Sequence, residues 1–225
     1  MSTIPRLGVS QRVEVVESYG ERRDCLDRAW TGLLEEWGYQ PVPLPNTVED
    51  AGSYLDSMAI DGIVLTGGND IADLDGATQP APERDQFERA AVEWAIQNDR
   101  PICGVCRGLQ LLNTYFGGQL STVSDHVATE HTVSFQPTVL TFENGSHRLE
   151  LPETVRTNSY HGYGIDPNDL ADPLQAVGTA ADGTVEMVVH PDLQLVGIMW
   201  HPERDGPSTE INRKLFDALF RGTEQ

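Results

Sequence analysis

Residues 101–110, PICGVCRGLQ, join an apolar run to a helical one through a glycine on either side of a cysteine. "PICGV" has the continuous apolar character of a buried strand, and "RGLQLLNTYFGG" reads as a helix that stops at Gly117. Gly104-Val105-Cys106-Arg107-Gly108 is then a glycine-x-nucleophile-x-glycine turn between strand and helix, a pattern that makes a sharp elbow. A Cβ at either glycine would crowd the turn. Cys106 is lifted to the helix N-terminus, where the dipole and unpaired amides favour a thiolate. Cys103 completes a C-x-x-C with it. A redox pair of that kind starts the helix with both thiols, whereas Cys103 falls inside the strand and reads as a small core residue.

An elbow of this kind needs an α/β frame, and the first half of the chain supplies one. "RLGVSQRV" reads as a first strand. "RRDCLDRAWTGLLEEWG" reads as a helix that carries Cys25, packs Leu26, Ala29, Trp30, Leu33, Leu34 and Trp37, and stops at Gly38. "YQPVPLP" is an extended segment or irregular strand. "GIVLTGG" is a buried strand. "PERDQFERAAVEWAIQND" is an amphipathic helix, with Phe87, Ala90, Ala91, Trp94 and Ala95 on one face and acids and arginines on the other. The β-α-β-α order implies a parallel sheet with helices on both faces. After residue 119 the chain turns β-rich: "HTVSFQPTVLTF", "TVEMVVHP" and "LQLVGIMWHPE" are expected as antiparallel strands added to the sheet or flanking it. "STEINRKLFDALFRG" closes as a helix. A length of 225 residues fits a single domain spanning residues 1–225. Ligands of open α/β sheets bind beyond the carboxyl ends of the strands. The residues that follow each strand are therefore the ones to weigh for function.

Composition narrows the partners. The net charge of −20 argues against nucleic acid, which is bound by clustered positive charge. All but one of the 15 basic residues are arginine, Lys214 being the exception. An acid-rich, lysine-poor surface fits a protein kept soluble in high salt, or an ordinary acidic cytosolic protein. No run of about 18 apolar residues is present, so no membrane span is expected. The N-terminus lacks a signal-peptide pattern, and 3 cysteines suggest no disulfide framework, which places the chain in the cytoplasm. The acidic stretch at Asp70, Asp73 and Asp75 fails as a calcium loop, since the first and twelfth positions would be Ile71 and Pro82. The histidines show no metal spacing, and His126 and His131 read as lining or surface residues. No metal and no cofactor is expected.

Two further segments complete a site. In "MWHPER", His201 and Glu203 leave an extended chain on the same side, and Pro202 marks the strand's end. His201 could take and return a proton for Cys106 while Glu203 fixes its tautomer; alone, the tripeptide is only a strand-end turn. In "LTGGND", the amides of Gly67 and Gly68 could join that of Arg107 as an oxyanion hole, worth roughly 3 kcal/mol per donor. An ordinary β-turn is the alternative. Arg12, Arg22, Arg23 and Arg28 follow the first strand at the functional edge. They either bind an anionic leaving group or pair within a helix with Glu21, Asp24 and Asp27.

Gly-Val-Cys-Arg-Gly-Leu-Gln at 104–110, Thr-Gly-Gly-Asn-Asp at 66–70, Asn-Ser-Tyr-His at 158–161 and Trp-His-Pro-Glu at 200–203 resemble the class I glutamine amidotransferase superfamily over nearly the whole chain. The resemblance implies a flavodoxin-like three-layer α/β/α fold and a Cys106–His201–Glu203 triad working through a γ-glutamyl thioester. It also implies a glutamyl site at Gln110 and at Asn158, Ser159, Tyr160 and His161. Cys-Arg-Gly-x-Gln, Arg84-Asp85 and "EHTVSF" resemble the γ-glutamyl-γ-aminobutyrate hydrolase branch. "YGERRDCLDRAW" with "PVPLPN" is similar to γ-glutamyl-CDP-amidate hydrolases, for which Arg12, Arg22 and Arg23 would meet phosphate. A small γ-glutamyl substrate is the partner so implied, and a homodimer is left open. The alternatives are a glutaminase subunit feeding ammonia to a synthase, and a non-catalytic γ-glutamyl binder.

Overall fold

The computed structural model describes residues 4–142, 147–204 and 206–221. The chain runs β1 (Arg6–Ser10), β2 (Arg12–Val16), β3 (Glu21–Cys25), α1 (Arg28–Glu36), β4 (Gln40–Leu44), α2 (Ala51–Ser57), β5 (Gly62–Leu65), α3 (Pro82–Gln97), β6 (Ile102–Val105) and α4 (Arg107–Tyr115). It continues through β7 (Ser121–Thr122), β8 (Val127–Phe135), β9 (Val139–Phe142), β10 (His147–Glu150), β11 (Thr154–Tyr160), β12 (Tyr163–Gly164), β13 (Gln175–Thr179), β14 (Val185–Val189), β15 (Leu195–Ile198) and α5 (Thr209–Phe220).

The helices begin where their sequences cap them. Asp27 accepts a hydrogen bond from the amide of Ala29 (2.9 Å) at α1, and Asp50 accepts one from the amide of Ser53 (2.9 Å) at α2, a short helix the sequence pattern does not announce. Pro82 opens α3, followed by Glu83 and Asp85 in the first turn, where the dipole favours acids.

A nine-stranded sheet in the order β11-β8-β13-β14-β15-β6-β5-β1-β4 forms the middle layer. From β15 to β4 all neighbours are parallel, and from β11 to β15 all are antiparallel. The expectation that "LQLVGIMWHPE" is one of the antiparallel strands is therefore corrected. Its strand β15 pairs in parallel with β6, Leu195 to Ile102 through Ile198 to Val105, and meets β14 in antiparallel. Its direction depends on how the chain returns to the sheet, which periodicity does not encode.

A second correction concerns residues 21–25. They form β3, paired in antiparallel with β2, so Cys25 lies in a strand and the helix begins only at Arg28. The Asp24 carboxylate accepts hydrogen bonds from the Asn46 amide (2.9 Å) and side chain (2.7 Å), a long-range anchor that overrides local helical spacing.

Side chains alternate across the parallel strands. Leu7, Val9, Val64, Cys103, Val105, Val196 and Ile198 pack with Trp30 and Leu34 of α1 and with Leu215, Phe216 and Leu219 of α5. Ile63, Leu65, Ile102 and Leu195 pack with Leu55 of α2, Phe87 and Ala91 of α3, and Leu109 and Leu112 of α4. The result is helices on both faces of one mixed sheet, three layers as expected. Because Leu65 pairs with Gly104 and Ile198 with Val105, the loops after β5, β6 and β15 leave the sheet side by side. No helix of the described residues is long and apolar enough to cross a membrane.

Candidate active site

Cys106 stands between β6 and α4 with φ 52° and ψ −106°, a conformation sparsely used by non-glycine residues and typical of strained functional turns. Its amide bonds the carbonyl of Ile198 (2.8 Å), tying the elbow to β15. The two flanking glycines are steric necessities. A Cβ on Gly108 would collide with the carbonyl oxygen of Leu65, and one on Gly104 would lie 2.8 Å from the backbone of Gly108. Cys103 is buried in the core, and burial pushes its thiol well above the ordinary value, leaving it unreactive at neutral pH.

His201 follows β15 and is fixed from two sides. Asn158 grips its main chain, accepting from the His201 amide (2.8 Å) and donating to the His201 carbonyl (2.9 Å). Glu203 Oε1 takes the Nδ1 hydrogen bond at 2.7 Å. Gly67 makes room for the ring, since a Cβ there would stand 2.7 Å from Cε1. The Tyr160 ring meets the imidazole edge-on at 5.7 Å, and the Arg204 guanidinium covers Tyr160 at 4.0 Å. Burial works against a charged imidazole, but the Cys106 thiol, acting by charge and hydrogen bonding, and then Glu203 outweigh it, raising the His201 pKa to about 10. Nε2 is buried and makes no well-formed hydrogen bond.

Behind the elbow lies a buried ionic network. Arg107, the residue after Cys106, turns its side chain inward to Asp85 and Glu88 of α3. Glu88 also holds Arg84 at 2.8 Å, and both side chains are fully buried. Arg84 in turn donates to three successive carbonyls, those of Thr66 (2.7 Å), Gly67 (3.1 Å) and Gly68 (3.1 Å). In a trans peptide the following amide points opposite its carbonyl, so the amides of Gly67 and Gly68 are turned away from Arg84. The sequence reading put the acids and arginines of α3 on its outer face; Arg84, Asp85 and Glu88 are instead buried. Two arginines and two carboxylates neutralise one another there, which periodicity alone does not reveal.

The remaining expected site residues divide. Tyr160 is exposed beside His201. Gln110, Ser159 and His161 spend their side chains inside the fold: Gln110 donates to the Tyr163 carbonyl (2.9 Å), Ser159 to the His126 carbonyl (2.7 Å), and His161 Nδ1 to the Tyr163 carbonyl (3.0 Å). Arg22 pairs with Glu83, and Arg23 with Glu21 at 2.6 Å and with the Tyr19 hydroxyl (3.1 Å), so neither is a free cation. Arg12 pairs with Glu14 (2.7 Å), yet its aliphatic stem borders Gly68, with Cδ 3.2 Å from where a Cβ would be. His126 is no surface residue: it is buried against Glu186 with His131 and His161. Arg204 and the Arg84–Glu88–Arg107 network escaped the sequence reading as parts of the site. Only Arg84-Asp85, noted for its likeness to one branch, offered a signal.

A three-layer sheet with a cysteine elbow beside a His–Glu pair is the architecture of the glutamine amidotransferase class. The fold superimposes on the crystal structure of a glutamine amidotransferase from Thermotoga maritima with a TM-score of 0.68, at 15% identity, covering 98% of this chain and 100% of that one. The chain belongs to the Peptidase C26 family, which it matches over residues 5–203. It is 30% identical over 206 residues to the γ-glutamyl-CDP-amidate hydrolase of Campylobacter jejuni, covering 91% of this chain and 93% of that protein. It is 27% identical over 238 residues to the γ-glutamyl-γ-aminobutyrate hydrolase of Escherichia coli O157:H7, covering 89% of this chain and 87% of that protein.

Proposed function

We propose that this protein hydrolyses a γ-glutamyl amide through a thioester on Cys106. The observation that carries the reading is the elbow cysteine set against an imidazole whose other nitrogen is held by Glu203 at 2.7 Å. In the first half-reaction the thiolate attacks the γ-carbonyl carbon and the C–N bond breaks. The His201 imidazolium gives its proton to the departing amine. In the second, water attacks the thioester while His201 takes a proton. The C–S bond breaks, and glutamate and the thiolate are released. The amides of Gly67, Gly68 and Arg107 receive the oxyanion, a role supported for the two glycines by the way Arg84 draws the preceding carbonyls of Thr66 and Gly67 aside.

Among leaving groups, a phosphate-bearing one is favoured by the Campylobacter relative. Two cations border the site: Arg12 beside Gly68, and Arg204 over Tyr160. Arg22 and Arg23 pair with Glu83 and Glu21 as Arg12 does with Glu14, but Arg12 is the one whose stem borders Gly68, so the other two are secondary. The free thiols fit a reducing cytoplasm.

The test is turnover of γ-glutamyl-CDP-amidate, γ-glutamyl-GABA and glutamine by the purified chain, with Arg12→Ala alongside. The expected result is hydrolysis without a partner, with KM for the CDP-amidate raised about tenfold in the variant and KM for γ-glutamyl-GABA unchanged. Glutamine cleavage that appears only on adding a synthase would replace this reading with the glutaminase one. Tight binding with no turnover and no labelling of Cys106 by a glutamine-analogue electrophile would leave a binder.

A further inference from the structure

Away from the elbow, three histidines and one glutamate converge within the antiparallel half of the sheet. Glu186 lies in β14, His131 in β8, His126 just before β8, and His161 just after β11. The Glu186 side chain is fully buried, and neither of its oxygens makes a well-formed hydrogen bond.

The contacts fix the role of the outward ring nitrogens. His126 Nε2 lies 2.9 Å from the Asp182 carboxylate, and His161 Nδ1 lies 3.0 Å from the Tyr163 carbonyl. Both partners accept only, so His126 Nε2 and His161 Nδ1 each donate a proton to them. The other nitrogen of each ring is turned inward. His126 Nδ1 and His161 Nε2 are 3.3 Å apart, and each is 3.4 Å from Glu186 Oε1. Two ring nitrogens and a carboxylate oxygen thus face one another in a buried space, with a proton or a metal ion needed between them. His131 Nε2 approaches the second carboxylate oxygen at 3.3 Å, also without a well-formed hydrogen bond.

The spacing of His126, His161 and Glu186 has a simple chemical match, and the donor atoms of His126, His131 and Glu186 lie within 4.8 Å of one another. Ligands at about 2.0–2.1 Å from a tetrahedral zinc ion stand about 3.3–3.4 Å from one another. The outer contacts match as well, because metal-bound histidines characteristically donate their other N–H to a carboxylate or a backbone carbonyl. We infer that His126, His161 and Glu186, with His131 as the fourth donor, form a binding site for a divalent transition-metal ion of the zinc class. An imidazole-rich set with one carboxylate suits such an ion rather than magnesium or calcium, which prefer all-oxygen shells.

The site would act structurally. It would tie β8, β11 and β14 together through residues adjoining the catalytic groups. His161 follows Tyr160, Tyr163 O is shared with Gln110, and the Glu186 carbonyl accepts from the Met199 amide (2.8 Å). The inference does not depend on the hydrolase reading, since metal content is measured without substrate.

The experiment is elemental analysis of the full chain purified without a metal-affinity tag. It is paired with chelator stripping and back-titration by Zn²⁺ and Co²⁺. One equivalent of metal per chain is expected, along with a fall in Tm on stripping that Zn²⁺ restores and a visible tetrahedral spectrum with Co²⁺. Glu186→Gln should abolish all three. Should that variant fail to fold, His131→Gln should weaken Co²⁺ binding at least tenfold in a folded chain. No metal above background, no Co²⁺ spectrum and a Tm indifferent to Zn²⁺ would overturn the assignment. The cluster would then be an imidazolium–carboxylate group held by a proton.

Discussion

His201 and His126 each sit against a glutamate, and the two pairs are built for different work. At the carboxyl ends of the parallel strands, His201 gives Nδ1 to Glu203 and leaves Nε2 to the Cys106 thiol. In the antiparallel half, His126 gives Nε2 outward to Asp182 and turns Nδ1 toward the His161 ring and a buried carboxylate. The chemistry is set by what the second ring nitrogen meets. A thiol there fits the proton carrier proposed for hydrolysis, whereas ring nitrogens converging on a carboxylate fit the cation site inferred above.

That contrast can be broken most sharply at the elbow. Cys106→Ala should remove about 10⁴-fold or more of kcat and all covalent labelling while the fold persists, measured by steady-state kinetics and circular dichroism. Retained turnover would end the comparison, because the thiol would not be what His201 serves. Glu203→Gln comes next, lowering kcat/KM by about 10² to 10⁴-fold. It should also move the alkaline limb of the pH profile. In the parent, His201 must be protonated to release the amine, so activity should fall as pH rises through about 10. In the variant that limb should shift to lower pH. The same raised value means that the stabilisation His201 gives the fold is complete below its ordinary pKa of about 6.5 and lost as pH climbs toward the raised one.

Arg107→Met should leave activity to fail through the scaffold. Asp85 and Glu88 would stay in the interior without this partner, at a cost of about 3–5 kcal/mol, read as a lower denaturant midpoint. An unchanged midpoint would mean the network does not brace the elbow. The smallest effect is expected from Cys103→Ala: a loss of about 1–2 kcal/mol and full activity. Inactivity there would revive the redox pair.

Residues close together in sequence were readable. The elbow glycines, the cysteine and the two-residue step from His201 to Glu203 lie within single turns or strands, so spacing and side-chain chemistry carry their geometry. Tyr160, expected in a glutamyl site with Ser159 and His161, lies exposed against His201, whereas Ser159 and His161 turn inward. The end of β11 and the residue after it are buried where they carry these side chains, and no local pattern marks a cover supplied by distant parts of the chain.

The sequence alone determined the sharp strand-to-helix turn at Cys106, because only glycine fits on both sides of it, and the alternation of strands and helices that frames it. Tertiary structure alone decided that Arg107 faces α3 and that residues 21–25 pair as a strand. It also decided that His126, His131 and His161, in or beside β8 and β11, meet the glutamate of β14. Each of these depends on contacts between residues far apart in the chain, and burial of charge is favourable only once the opposite charge has been brought alongside.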